Sequence, residues 1–169
     1  MIDIKIDTAQ LQAALKDLQG KVTRLRPVLK EIGEDLTEST KQRFATGIGP
    51  DGVPWAPNQP ATLAKYTHRV KGTITKDRAR LTQKGERRWD SKKPLVDQGT
   101  LGEQIHYQVI GDDTLIVGSS MEYAAMQQFG GTKAEFPYLW GDIPPRPFLG
   151  ISIEDEVMIR QTLARWLTP

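Results

Sequence analysis

A chain of 169 residues with 38% hydrophobic and 26% charged content suits one soluble domain, long enough to bury a core without covalent staples. It has no cysteine, which excludes a disulfide framework, a thiolate metal site and a thiol nucleophile. Net charge is only +2, yet eleven Lys and Arg fall between Lys65 and Lys93 against three acids, so a basic segment is set into a mildly acidic remainder.

In chain order, Ile2, Ile4 and Ile6 alternate as in a short half-buried strand. Asp7 and Gln10 have capping-box spacing, and Leu11, Leu15 and Leu18 then recur at helical spacing up to a stop at Gly20. A second helix follows, with Pro27 tolerated in its first turn and Leu25, Leu29, Ile32 and Leu36 as its apolar stripe, fading near Phe44. GIGPDGVPWAPNQP, residues 47–60, is a turn-rich loop in which Asp51-Gly52 supplies a left-handed position and Trp55 an anchor. A short helix is predicted from Pro60 to Tyr66. Beyond it the basic segment has few large apolar residues and no steady period, as expected of a long surface loop or mobile arm.

Order resumes near Pro94-Leu95. Ile105, Tyr107 and Val109 alternate, Gly111-Asp112-Asp113 turns the chain, and TLIVG returns as a partner strand. SSMEYAAMQQFGG predicts a short helix capped by Ser119 or Ser120 and ended by Gly130-Gly131. The last helix opens at Ser152, with Asp155 in capping-box position and Glu154, Asp155 and Glu156 at the positive end of its dipole. It carries two apolar stripes, Ile153, Val157, Ala164 and Leu167 on one and Ile159, Leu163 and Trp166 on the other, a front wide enough for burial on two sides. The outline is an α+β single domain over residues 1–169. A small, mostly antiparallel sheet packs on two or three helices, with a flexible basic insertion at about 65–93. MIDIKIDTAQ lacks the apolar core of a signal peptide and no run of 18 apolar residues exists. The expectation is therefore a cytoplasmic protein without membrane contact, unless an assembly carries it elsewhere.

No reactive constellation emerges, and neither a catalytic residue, a cofactor nor a metal is expected. His68 lies in the basic segment and His106 on the outward face of a strand. Asp112-Asp113 is explained by its turn, and Glu154, Asp155 and Glu156 by helix capping. The serines occupy caps and loops rather than a nucleophile elbow, and Gly47, Gly49 and Gly52 lack the Lys-Ser/Thr of a phosphate loop. Two partner features stand out instead. The basic segment, with Lys76, Arg78, Arg80, Lys84, Arg87 and Arg88, reads first as an arm for a neighbouring subunit, and otherwise as a DNA contact or a solvated loop. In IPPRPFLG, residues 143–150, the prolines stiffen an extended path that presents Arg146 as a carboxylate fork, with Phe148 and Leu149 as apolar anchor. That strap either covers the protein's own core, with Arg146 paired internally, or grips another subunit.

Four stretches taken together, PDGVPW (50–55), PLVDQGTL (94–101), VGSSMEYAAMQQFG (117–130) and IPPRPFLG, followed by an acid-capped helix, resemble the virion morphogenesis, or tail completion, family of Mu-like tailed phages. The resemblance covers most of residues 40 to 160. It implies a non-enzymatic subunit of the head–tail region that works as a ring, with a small α+β core. Its partners would be copies of itself, neighbouring neck, terminator or tail-tube proteins, and nearby packaged DNA. It would sit in the host cytoplasm during assembly and then in the virion. Tail terminator, head-closure (stopper) protein and DNA-binding accessory protein are the alternatives. The positions that match are Gly52 and Trp55, Gly99 and Leu101, Tyr123, Ala124 and Gly130, and Arg146, Pro147 and Phe148. Gln127-Gln128 stands where a His-Gln pair is more usual, and Pro145 where a small residue is.

Overall fold

The computed structural model describes residues 9–75, 80–139 and 141–168. The strand expected from Ile2, Ile4 and Ile6, its Asp7 cap, and Lys76 and Arg78 of the basic segment lie outside the described residues.

Helix α1 runs Ala9–Val22, and it continues through Gly20 rather than stopping there. It lies against the end of the last helix, with Ala13, Lys16, Asp17, Gly20 and Lys21 lining a shared cleft with Trp166. Leu15, Leu18 and Val22 are exposed. Helix α2, Arg26–Thr46, accepts Pro27 in its first turn, where no N–H is needed, and ends on Gly47 at φ 75°. Its buried face is Val28, Ile32, Gly33, Thr40, Arg43 and Phe44. The expected stripe is thus rotated, keeping Ile32 but leaving Leu25, Leu29 and Leu36 half-buried. Gly33 explains the rotation. A Cβ there would stand 2.5 Å from the Tyr107 ring, so the helix rests directly on the sheet at that point.

That sheet is the predicted hairpin, β1 Ile105–Ile110 and β2 Thr114–Ser119, antiparallel with Tyr107 opposite Val117 and Val109 opposite Leu115. Tyr107 also donates from its hydroxyl to Glu34 on α2 at 3.1 Å. Helix α7, Ile153–Leu167, packs on the other flank of α2 and opens with the predicted reciprocal capping box between Ser152 and Asp155. One of its two stripes turns inward, and of the other only the last residue, Leu167, is half-buried. Ile159, Leu163 and Trp166 are half-buried, whereas Ile153 and Val157 are exposed.

Between these, α3 spans Pro60–His68, α4 Gln83–Asp90, α5 Thr100–Glu103 and α6 Ala124–Phe129. Helix α4 corrects the expectation of an unbroken loop over the basic segment. Threonines rather than apolar stripes hold that region. Thr73 Oγ donates to the carbonyls of Thr67 (2.9 Å) and Val70 (2.7 Å), and Thr82 N donates to Thr73 O at 3.0 Å. Thr82 then caps α4 through Gly85 N. Such local side-chain bonds leave no hydrophobic period in the sequence. At α6 the predicted serine cap is also corrected. The helix starts after Tyr123 without a side-chain cap, and Ser119 accepts from Met121 N in the turn before it.

Candidate functional site

The four stretches 50–55, 94–101, 117–130 and 143–150 meet in space. Phe44 on α2, Trp55, Leu101, Ile105, Ala124 and Phe148 form one buried cluster, with Leu95, Val96, Val117, Met121 and Leu149 packed against it. The Phe44 ring meets Trp55 edge-on at 5.4 Å and Phe148 at 5.5 Å.

The 143–150 strap lies over this cluster and is bonded at Ile143 and from Arg146 to Gly150. Gly130, at φ 73°, lets Gly131 pair with Ile143, because a Cβ on Gly130 would stand 2.7 Å from Ile143 O. Arg146 N donates to Gln127 O at 2.9 Å. The Arg146 side chain is buried, donating from Nε to Ala56 O (2.8 Å) and from an Nη to Pro57 O (2.9 Å). Burial alone pushes its pKa down. Trp55 Nε1 donates to Pro147 O at 2.7 Å. Gln128 Oε1 accepts from both Phe148 N and Leu149 N at 2.9 Å, and its Nε2 donates to Leu149 O. A single amide therefore does for the strap what a neighbouring strand would.

At the strap's far end sits an ion pair the sequence reading missed. Arg43 of α2 donates to Phe148 O (2.8 Å), Gly150 O (2.9 Å) and Asp155 Oδ2 (2.5 Å), with both charged side chains buried. Asp155 at the same time accepts from Ser152 N. Burial would push the Asp155 carboxyl up. Hydrogen bonds from Ser39 and Ser152 and the Arg43 charge outweigh it and hold the carboxyl below its ordinary range. Burial likewise lowers the Arg43 pKa against the opposing pull of Asp155. The only sequence signal for this pair is an Arg beside Phe44 on a helix face that otherwise reads apolar.

On the strap's near side opens a groove of about 1010 Å³, lined by Tyr66, Leu95, Val96, Tyr123, Leu139 and Arg146 among others. Leu95 holds φ 59°, an uncommon backbone state for a leucine, at its wall. Asp97 on the rim accepts from one Arg69 Nη at both of its oxygens (3.0 Å each) and from Lys92 at 3.1 Å, which hold its carboxyl below the ordinary range. The Arg88 guanidinium lies 3.8 Å over the Tyr66 ring. The candidate arm thus divides. Arg88 packs on Tyr66 of α3, Lys84 reaches Lys71 O, and Arg80 and Arg87 are exposed.

Gly52 sits at φ 76° in a turn closed by Gly49 N on Val53 O, with Asp51 accepting from Val53 N. Tyr123 is partly exposed at the groove. His68 and His106 are exposed and apart from one another's elements, and Asp112 and Asp113 are exposed in the hairpin turn. Among the described residues no cluster of three or more His, Asp or Glu is placed to hold a metal, and no helix is long and apolar enough to cross a membrane.

The model of the phage virion morphogenesis family matches residues 6–168. A putative capsid assembly protein G of Escherichia phage Mu is 30% identical over 153 residues, covering 89% of this chain and 83% of that protein. No solved structure matches. The motifs that close over the Phe44–Trp55–Phe148 cluster lie within the matched span, and the chain belongs to the phage virion morphogenesis family, with a role in virion assembly.

Proposed function

We propose that the chain is a non-enzymatic structural subunit that forms a ring at the head–tail junction and completes the neck or tail. The observation that carries this reading is the two-faced α7. Its inner face closes on α2, while Ile153 and Val157, with Ile151 ahead of them, stay exposed. An apolar surface on the same helix that locks the fold suits a subunit that completes its burial in an assembly. The protein would be built in the host cytoplasm and retained in the virion neck. Deleting its gene is expected to leave heads and tails that do not join, or tails with unfinished ends, in electron micrographs. Normal infectious particles from the deletion overturn the reading. A terminator stays with purified tails and a head-closure protein with filled heads, so fractionation separates those two roles.

A second reading, contact with packaged DNA, is favoured by Arg80 and Arg87, which are exposed and have no acidic partner among the described residues. It predicts DNA retention that falls steeply with salt. Retention indifferent to salt, or none, removes it.

A further inference from the structure

Arg146 is 7% exposed, and among the described residues no carboxylate pairs with it. Its guanidinium donates to the neutral carbonyls of Ala56 and Pro57. A guanidinium taken out of water without a counter-charge is costly, and this one forms part of a groove wall. The groove is also basic as a whole, since Lys65, Arg69, Lys92 and Arg146 face Asp97 and Asp142, and Asp97 is already shared by two of those cations. Between the charges, Tyr66, Leu95, Val96 and Leu139 give it an apolar lining. A partner that fits must bring carboxylates together with aliphatic side chains.

The same chain carries such a surface at the other end of the strap. Ile151, Ile153 and Val157 are exposed there, and Glu154 and Glu156 are exposed between them. Among the described residues Glu154 makes no hydrogen bond or ion pair beyond standing at the positive end of α7, and Glu156 makes one solvent-facing pair with Arg160. Accepting the ring reading, we propose that the start of α7 in one copy seats in the Arg146 groove of the next. Ile153 and Val157 lie against its apolar lining, and the Glu154 and Glu156 carboxylates face its cations. The two surfaces are different and complementary, so the contact is head-to-tail and repeats from copy to copy, closing a ring when the rotation allows.

Because the chain has no cysteine of its own, introduced pairs report the contact cleanly. Thr62 on the groove and Ile153 on α7 are both exposed, so Thr62→Cys and Ile153→Cys leave the core alone. In assembled particles and in the purified full chain, the double variant is expected to oxidise to a ladder of multimers, and each single variant to none. A single-cysteine dimer means like meets like. That result, or no ladder, overturns the proposal while leaving the ring reading standing if particles still hold several copies at one level. One copy per particle overturns both. A photo-reactive benzoylphenylalanine placed at Thr62 is expected to capture this same chain. Capture of another virion protein, or of DNA, shows that the groove belongs to that partner instead.

Discussion

The strap at 143–150 and the basic segment at 65–93 are the two stretches whose composition sets them apart, and they are built in opposite ways. In the strap every polar group nearest the core is used inside the chain: Arg146, the Pro147 carbonyl and the Phe148 and Leu149 amides all have partners from α6 or the Trp55 loop. In the basic segment the backbone is held largely by threonines bonded to carbonyls of the same segment, and most of the described cations are exposed. The difference separates what the sequence spends on folding from what it displays. Changes to the strap should be read in stability, and changes to the displayed cations in association.

The sharpest break of that contrast is Phe148→Ala. Phe148 is fully buried among Phe44 and Trp55, and truncating such a ring costs about 3–5 kcal/mol. Urea unfolding should show a midpoint shift of that size. A change under 1 kcal/mol would mean the strap rests on the body without holding it.

Next comes the buried pair beneath it. Arg43→Met removes four side-chain bonds and leaves the Asp155 carboxylate buried without its cation, which costs about 3 kcal/mol or more. The pair also sets an acid limit. Asp155 is held below its unfolded range, so its contribution is complete above the unfolded carboxylate pKa of about 4 and is lost as pH falls through the lower folded value. Asp155→Asn should lower stability at neutral pH and flatten its decline below about pH 4. Thermal melts of both proteins across pH 2 to 7 (roughly the carboxylate range) check this, and parallel acid limbs would refute it.

Gln128→Leu is expected to cost less, about 2–3 kcal/mol, because it strips three bonds from the strap backbone and strands two amides. Gln128→Glu keeps the acceptor for Phe148 N and Leu149 N but loses the donor to Leu149 O, and should fall between the two. Equal losses for both variants would mean the acceptor role is unimportant.

How much of this was legible follows from the kind of physics involved. The hairpin, the α7 capping box, the Pro27 helix start and the Gly130 terminator are local patterns, and each stands where its residues indicate. The burial of Arg146 was open between two readings, because a stiff Pro-Arg-Pro path does not reveal whose carbonyls it will meet. The rotation of α2 was hidden in Gly33, since close approach to Tyr107 depends on a contact from far along the chain. Arg43, Gln128 and helix α4 were missed for a related reason. Their structure comes from hydrogen bonds made by polar residues, which leave no apolar period to read.

The smallest effect should come from the displayed side of the comparison. Arg80→Ala and Arg87→Ala remove exposed cations with no acidic partner among the described residues, so each should change unfolding free energy by no more than about 0.5 kcal/mol. Arg88→Ala is the internal control, because its guanidinium lies on Tyr66 and donates to Tyr66 O at 3.2 Å. It should cost more than either neighbour, on the order of 1 kcal/mol. If Arg80 and Arg87 prove as costly as Arg88, the segment is part of the fold's foundation and its cations are held by the body. If all three are silent in unfolding but lower the salt sensitivity of DNA retention or of self-association, the basic segment works through its charge on partners, which is the division of labour its exposed side chains imply.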